Sequence, residues 1–381
     1  MKIALVHDYL TSFGGAERVI IALSKIFPEA PIYTAVADKN FVESVPEFKN
    51  TKIVASWFDR IPFSKKLLSP LRFLWPLIWE SFDFSNFDLV VISSSALNPC
   101  GILIKPGTKT IAYIHTPPRN LYGYDAGSLW KKYKIVRIYG NLINHFLRIY
   151  DFYAAQKPDV LIANSKNVAA RIAKFWRRKN SFVIYPPVKL ADKKTKVIIP
   201  PESILPKKFR KGGFYLSVGR LQYSKRVDLI VKAFNQLKRP LVVVGDGEEL
   251  SRGLKDLNKN ENTYFTGFAE DKYLPWFYKN AKAFIFAAND EDFGIVPVEA
   301  QGYGVPVIAH FSGGTKETII KGKTGVFFRH HTVKSLKKAV KTLDKYLAGR
   351  KITKANCQKN AKRFSEEKFI KEIKKIVFSK K

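Results

Sequence analysis

The sequence predicts an α/β protein made of two doubly wound domains in tandem, and three observations predict it. A chain of 381 residues is longer than one hydrophobic core ordinarily serves, so two domains are expected. Short, nearly continuous apolar runs alternate with longer amphipathic segments, the pattern of parallel strands covered by helices on both faces. That rhythm breaks once, in a Lys- and Pro-rich stretch after Pro186-Pro187, and restarts at Gly212.

In the first half the apolar runs 2–7, 31–36, 88–92, 109–114, 159–163 and 181–185 read as strands, and 15–27, 129–153 and 166–177 as helices. In the second half strands are expected at 213–218, 240–244, 263–266, 282–286, 305–308 and 325–328. Helices are expected there at 225–236, 270–279, 295–303 and 333–347. After Arg363 an amphipathic helix is predicted, with Ser365 as N-cap, acidic Glu366 and Glu367 in the first turn and lysines toward the end, signs that suit the helix dipole. Its apolar stripe (Phe369, Ile370, Ile373, Ile376, Val377) suits packing on a domain, with docking on a membrane as the alternative. The expected organisation is a first domain over 1–188, a linker over 189–211, a second domain over 212–362 and the final helix over 363–381. Two such domains facing across a cleft would present the carboxyl ends of their strands to it, where α/β folds place ligands.

Lys and Arg outnumber Asp and Glu by 66 to 32, a net charge of +34 spread over both halves. Such a field attracts phosphorylated substrates, anionic membrane or nucleic acid without choosing among them. No apolar stretch reaches the roughly 20 residues of a spanning helix. The first residues lack the longer apolar region of a secretory signal. Only Cys100 and Cys357 are present, too few for a disulfide framework or a metal knuckle. A reducing, cytoplasmic setting is the simplest expectation.

Four constellations can carry chemistry. Gly14-Gly15 follows the first strand and opens a helix, where close backbone approach and free amides suit a phosphate; a plain tight turn fits too, and the dinucleotide pattern G-x-G-x-x-G is absent. Arg220 is expected at the tip of the first strand of the second domain, with Lys225 heading the next helix. Together they can stabilise a departing diphosphate without metal. His115 and Arg119, in a loop stiffened by Pro117-Pro118, are placed where they can touch sugar hydroxyls or phosphate. Finally, Glu291 falls in a loop after a strand and Glu299 inside the following helix, separated by a Phe293-Gly294 turn that exposes helix amides. Two separated carboxylates can hold two hydroxylated groups, one the transferred sugar and the other a ribose. Asp290-Glu291-Asp292 also spells D-x-D, the form of a divalent-metal site. The positive charge of Arg220 and Lys225 favours a reading in which no metal is required.

These residues match a pattern. HDYLTSFGGAERV, YIHTPPR, SVGRLQYSKRVDLIVKAF, VVGDGEEL and EDFGIVPVEAQGYGVPVIA resemble, in order and spacing over nearly the whole chain, the retaining family 4 glycosyltransferases of the GT-B fold, with two Rossmann-like domains. The resemblance implies donor contacts from Gly14 and Gly15, Arg220, Lys225, Glu291, Phe293, Gly294, Ile295 and Glu299. It casts Arg220 and Lys225 as the phosphate pair, Glu291 as the residue orienting the donor sugar and Glu299 as the ribose ligand. His115 becomes the histidine near that sugar, and Ser312-Gly313-Gly314 with Glu317 a later glycine loop. His115, Arg220, Lys225 and Glu291 form the expected catalytic set. Asp292 stands where the family commonly has glycine.

HDYL, GGAER and HTPPR further resemble enzymes of bacterial surface-polysaccharide assembly, often with mannose donors. That implies GDP-mannose as donor, UDP-hexoses remaining open, and a glycan or lipid-linked glycan as acceptor. Residues 57–79 mix Arg60, Lys65, Lys66 and Arg72 with three tryptophans, a composition suited to an anionic membrane surface or to burial. A nucleotide-sugar epimerase also fits two α/β domains, but it gives no role to the Arg220–Lys225 pair with its spaced glutamates. Nucleic acid is not expected as a partner, because the basic residues form no recognised module.

Overall fold

The computed structural model of the chain describes residues 1–124, 134–192, 195–249, 253–259 and 261–379. The chain divides into two compact units, Met1–Pro187 with Glu366–Lys381, and Val188–Ser365.

The first unit is built on a parallel sheet of seven strands: β1 (Ile3–His7), β2 (Ile32–Thr34), β3 (Ile53–Ala55), β4 (Leu89–Ser94), β5 (Lys109–Ile114), β6 (Val160–Ala163) and β7 (Phe182–Val183). Their order is β3-β2-β1-β4-β5-β6-β7. Alternate residues feed two cores: Ala4, Val6, Val90, Ile92, Ala112 and Ile114 belong to one, and Leu5, Leu89, Val91, Ile111 and Tyr113 to the other. Both faces are therefore dry, which is why these strands read as unbroken apolar runs. Helices α1 (Gly15–Ile26), α2 (Lys39–Ser44), α3 (Ser64–Leu67), α4 (Trp75–Glu80), α5 (Lys134–Ala154) and α6 (Lys166–Phe175) accompany the sheet. Residues 129–133 of the helix expected over 129–153 lie outside the described residues. The edge strand β3 was not expected; with three residues, none of them fully buried, it carries too little pattern to be read.

The second unit holds six parallel strands, β8 (Phe214–Val218), β9 (Leu241–Val244), β10 (Thr263–Gly267), β11 (Ala281–Phe286), β12 (Val307–His310) and β13 (Gly325–Phe328), ordered β10-β9-β8-β11-β12-β13. Its helices are α7 (Val227–Leu237), α8 (Leu274–Asn280), α9 (Ile295–Gly302), α10 (Thr315–Thr318), α11 (Val333–Ala348) and α12 (Lys354–Ala361). The helix expected from 225 begins two residues later. Arg226 adopts a left-handed backbone (φ 52°), so Lys225 sits in a preceding 3-10 turn instead of heading the helix. The stretch 189–211, expected as a linker, lies within this unit. Its apolar residues are too isolated to show a period, yet Leu205 and Phe209 enter the core.

The last helix, α13 (Glu366–Phe378), belongs to the first unit. Phe369, Ile373 and Val377 join the core that includes Ile20, Leu23 and Phe27 of α1 and the residue after it, and Lys25 Nζ meets Glu366 Oε1 at 2.8 Å. Both sheets share one plan. Strands are added outward on one side of β1 or β8 and then on the other, starting from β4 or β11. This leaves a topological switch point between the first and fourth strands of each unit, the place where such sheets hold ligands at their carboxyl ends.

Candidate active site

In the second unit the switch point lies between β8 and β11, and every expected donor residue of this half follows one of these strands or lies on α9. Beyond β8 the chain turns at Gly219 (φ 143°) into Arg220, whose side chain is exposed. The loop after β9 is pressed against it: Gly219 N donates to Val244 O at 3.0 Å and Leu221 N to Asp246 O at 2.8 Å. A Cβ on Gly245 would run into Gly219 O, so only glycine allows the two loops to meet.

Lys225, on the turn before α7, reaches Glu291, beyond β11, with Nζ and Oε2 2.7 Å apart and the two side chains 26% and 22% exposed. Its ammonium also lies 5.6 Å from the centre of the Phe286 ring. The residue expected to hold phosphate and the one expected to hold sugar are thus paired with each other.

The Glu291 loop is itself clamped by the later glycine loop. Gly314 N donates to Glu291 O at 2.7 Å, and Ser312 Oγ accepts from Asp290 N at 3.1 Å. A Cβ on Gly314 would lie 2.5 Å from Asp292 O, and one on Gly313 would collide with Glu291 O. Two glycines are therefore required for the loops to lie backbone on backbone. Gly294, left-handed at φ 90°, ends the loop and starts α9 with no side-chain cap, leaving amides at Ile295 and beyond for a ligand. Phe293 is buried edge-on against Phe364. Glu299, one turn further in and buried, accepts a hydrogen bond from Tyr278 Oη at 3.1 Å. The Tyr278 ring stacks on Tyr303, whose phenol is pushed up to about 12 by burial and then by Glu299. Asp290 and Asp292 are half-buried in the same loop. Among the described residues no group of three or more His, Cys, Asp or Glu is arranged to hold a metal ion.

In the first unit the switch point lies between β1 and β4. Gly14 is the N-cap of α1, and an added Cβ there would meet Glu17 Oε2 at 2.7 Å. The missing side chain thus lets Glu17 fold back over the helix start. His115, directly beyond β5, is buried: its Nε2 lies 2.9 Å from Ser93 Oγ, which in turn lies 3.1 Å from His7 Nδ1. His7 Nε2 is 3.8 Å from Glu17 Oε1. Burial, and secondarily His7, lowers the His115 imidazole to about 3, so it is neutral at physiological pH. Arg119 is half-buried, and its carbonyl accepts from Tyr122 N and Tyr124 N. Neighbouring Thr116 Oγ1 accepts from Arg171 Nη1 at 3.0 Å.

The chain matches two family models that together span most of its length: "Glycosyltransferase Family 4" over residues 13–192 and "Glycosyl transferases group 1" over 203–364. The protein is a family 4 glycosyltransferase of the GT-B fold. Among its relatives is the alpha-1,3/1,6-mannosyltransferase ALG2 of Kluyveromyces lactis, 25% identical over 373 residues, 84% of this chain and 71% of that protein. A shorter match joins it to a GDP-mannose-dependent alpha-(1-6)-phosphatidylinositol monomannoside mannosyltransferase of Mycolicibacterium smegmatis. The two are 35% identical over 123 residues, 28% of this chain and 32% of that one. Its fold is that of HepE from Anabaena, solved with UDP and glucose, with a TM-score of 0.71 at 19% identity and 99% of each chain covered.

Several groups of this glycosyltransferase escaped the sequence reading. His7, Ser93 and Glu17 were not picked out as polar residues around His115, although His7 ends an apolar strand and interrupts it. Asp8 was missed as well: buried, it accepts from Ser95 N, Ser95 Oγ, Ala96 N and Leu97 N, with distances of 2.5 to 3.0 Å. It stitches the end of β1 to the end of β4. Two polar residues breaking the run MKIALVHD were the available signal. His310 was also passed over; it stacks on His331 at 3.7 Å and meets Ser312 Oγ at 2.9 Å, steadying the loop behind Glu291.

Proposed function

We propose that this glycosyltransferase moves a hexosyl group, first of all mannose from GDP-mannose, to a hydroxyl of a glycan or lipid-linked glycan, with retention of anomeric configuration. The observation that carries the reading is the gathering of Arg220, the Lys225–Glu291 pair and the uncapped start of α9 around one switch point. In this assignment Arg220 and Lys225 meet the diphosphate, Gly14 and Gly15 offer backbone to it, Glu291 orients the transferred sugar and Glu299 grips the ribose. His115, neutral and held through Nε2, offers its remaining ring nitrogen to a sugar hydroxyl, and Arg119 lies four residues on in the same loop.

The acceptor hydroxyl attacks the anomeric carbon on the face from which the diphosphate departs. The hydroxyl proton passes to the departing phosphate oxygen, while the guanidinium, the ammonium and the helix amides stabilise its charge. The guanidinium and the helix amides, with the ammonium shared between phosphate and Glu291, are taken to supply the positive charge that a metal would otherwise bring, so the reaction is read as metal-independent. The mannosyltransferases among the relatives support a mannose donor. The UDP and glucose bound by HepE favour a second reading, a UDP-hexose donor. The strong positive charge supports a peripheral position on an anionic membrane surface.

Ligand-detected NMR with GDP-, UDP- and ADP-sugars, each with and without magnesium, tests the reading. Saturation transfer to GDP-mannose without magnesium is expected. Binding of no nucleotide sugar would overturn the donor site, and strict magnesium dependence would return Asp290 and Asp292 to the metal role.

A further inference from the structure

Helix α5 is amphipathic in the inverted sense. Its buried residues are Gly140, Asn144, Leu147, Asp151 and Ala154, spaced by four, three, four and three along one face. Asp151 is satisfied there by Asn98 Nδ2 at 2.7 Å, Trp176 Nε1 at 2.5 Å and Tyr122 Oη at 2.5 Å. The opposite face carries Ile135, Ile138, Leu142, Phe146, Ile149 and Tyr153, all exposed, with Ile135 82%, Phe146 60% and Tyr153 67% accessible. Their spacing of three, four, four, three and four keeps them on one straight stripe along 21 helical residues, roughly 30 Å long. A soluble helix places such a stripe inward.

The surroundings say what covers it. Asp151 is the only acidic residue of α5 and is buried; Lys134 and Arg137 are exposed and Arg148 is half-exposed. The segment 57–79, whose composition suits either a membrane surface or burial, is only partly available to lipid. Trp75 and Trp79 are buried, their indole N–H groups donating to Leu68 O and Leu97 O, while Phe63, Phe73 and Leu77 stay exposed. That segment is tied to the first half of α5 through Tyr139 Oη to Pro70 O at 2.6 Å and Arg72 Nη2 to Gly140 O at 3.2 Å. The apolar side of α13 is buried in its own unit apart from Phe378, so the final helix offers no comparable surface. Among the described residues no helix is long and apolar enough to cross a membrane.

We infer that α5 lies flat on an anionic lipid surface, its apolar stripe entering the headgroup–acyl boundary and Lys134, Arg137 and Arg148 meeting lipid phosphates. The charge complementarity favours lipid over a second copy of the chain. Two copies joined through this face would bring together bases without acids on a protein of net charge +34. The inference names the docking element of the peripheral position proposed above and does not depend on the donor or on the transfer step.

The test is flotation of the full chain with vesicles of phosphatidylcholine alone or mixed with phosphatidylglycerol. Strong binding is expected only to the mixed vesicles, weakening with salt. Leu142→Asp with Phe146→Asp is expected to weaken it about a hundredfold or more, and Lys134→Glu with Arg137→Glu about tenfold or more. All four side chains are exposed, so unchanged circular dichroism and unchanged nucleotide-sugar binding are expected in both variants. Intact donor binding in a variant that no longer floats separates this surface from the donor site. Wild-type protein that ignores the mixed vesicles, or variants that float as well as wild type, would overturn the inference. So would a dimer in analytical ultracentrifugation that the aspartate variant dissolves while its vesicle binding persists.

Discussion

Lowering the pH should unload stability from the first unit through His115, by an amount the burial of the ring sets. The imidazole has an ordinary value of 6.5 and a folded value of about 3, lowered chiefly by burial and next by His7. A group depressed on folding favours the folded state while it is neutral in both states, here above 6.5. The contribution is lost as the pH falls from 6.5 toward 3, because the unfolded chain takes up a proton that the folded site refuses. Each pH unit in that window costs up to about 1.4 kcal/mol, so about 2 kcal/mol is lost by about pH 5. His115→Gln keeps a polar partner for Ser93 Oγ but cannot titrate, so it should be less stable at neutral pH and flatter on acidification. Urea unfolding followed by tryptophan fluorescence suits the measurement, since the buried Trp75, Trp79 and Trp176 report on this unit. A gap between wild type and variant that shrinks by about 2 kcal/mol between about pH 7.5 and about pH 5 is the expected result. Equal losses in the two proteins would refute the neutral, buried imidazole.

Four further outcomes follow from the geometry. Gly314→Ala places a methyl 2.5 Å from Asp292 O, so the Glu291 loop must shift; a loss of about 2 kcal/mol or more in thermal unfolding and weakened donor binding are expected. Arg220→Ala removes an exposed side chain and should change stability by no more than about 0.5 kcal/mol, yet lower transfer to a verified acceptor about a hundredfold or more. Glu299→Ala should weaken donor binding in titration calorimetry about tenfold or more, whereas full transfer in both this variant and Arg220→Ala would sink the assignment of the site. Asp8→Asn replaces an acceptor of three backbone N–H groups and one hydroxyl with an amide that cannot accept at both ends, and a loss of about 2 kcal/mol or more in chemical unfolding is expected.

What could be read from the sequence was what rests on local pattern. Strands such as β4 and β12, dry on both faces, announce themselves as unbroken apolar runs, and the glycine turns before α1 and α9 stand out beside them. Short elements such as β3 and α10 are held by tertiary contacts and leave no period to detect. The start of α7 was misplaced because the left-handed backbone at Arg226 leaves no trace in an arginine. Residues 57–79 show a different limit. Composition left Trp75 and Trp79 open between a membrane surface and burial; their N–H groups find carbonyls inside the unit, and the exposed apolar stripe is on α5. An amphipathic pattern shows that a helix has two faces without saying which one the fold turns inward, and in α5 the polar face is inward because Asp151 has three partners waiting there.

The same distinction between presence and pairing bears on the donor site. From the sequence, Arg220 and Lys225 are expected together to stabilise a departing diphosphate. In the folded unit Lys225 is spent on Glu291, which places a carboxylate 2.7 Å from its ammonium. The pair contributes little net charge, so Arg220 and the amides beginning at Ile295 are left as the main uncompensated positive groups beside the switch point. Arg220 is exposed and gains from a phosphate without first losing a partner, whereas Lys225 must share its protons between ligand and carboxylate. In the assignment proposed above, Lys225 would hold Glu291 in place as much as meet a phosphate. Removing its charge would take one partner from the Glu291 carboxylate as well as subtract a cation, so the effects of the two residues are not additive.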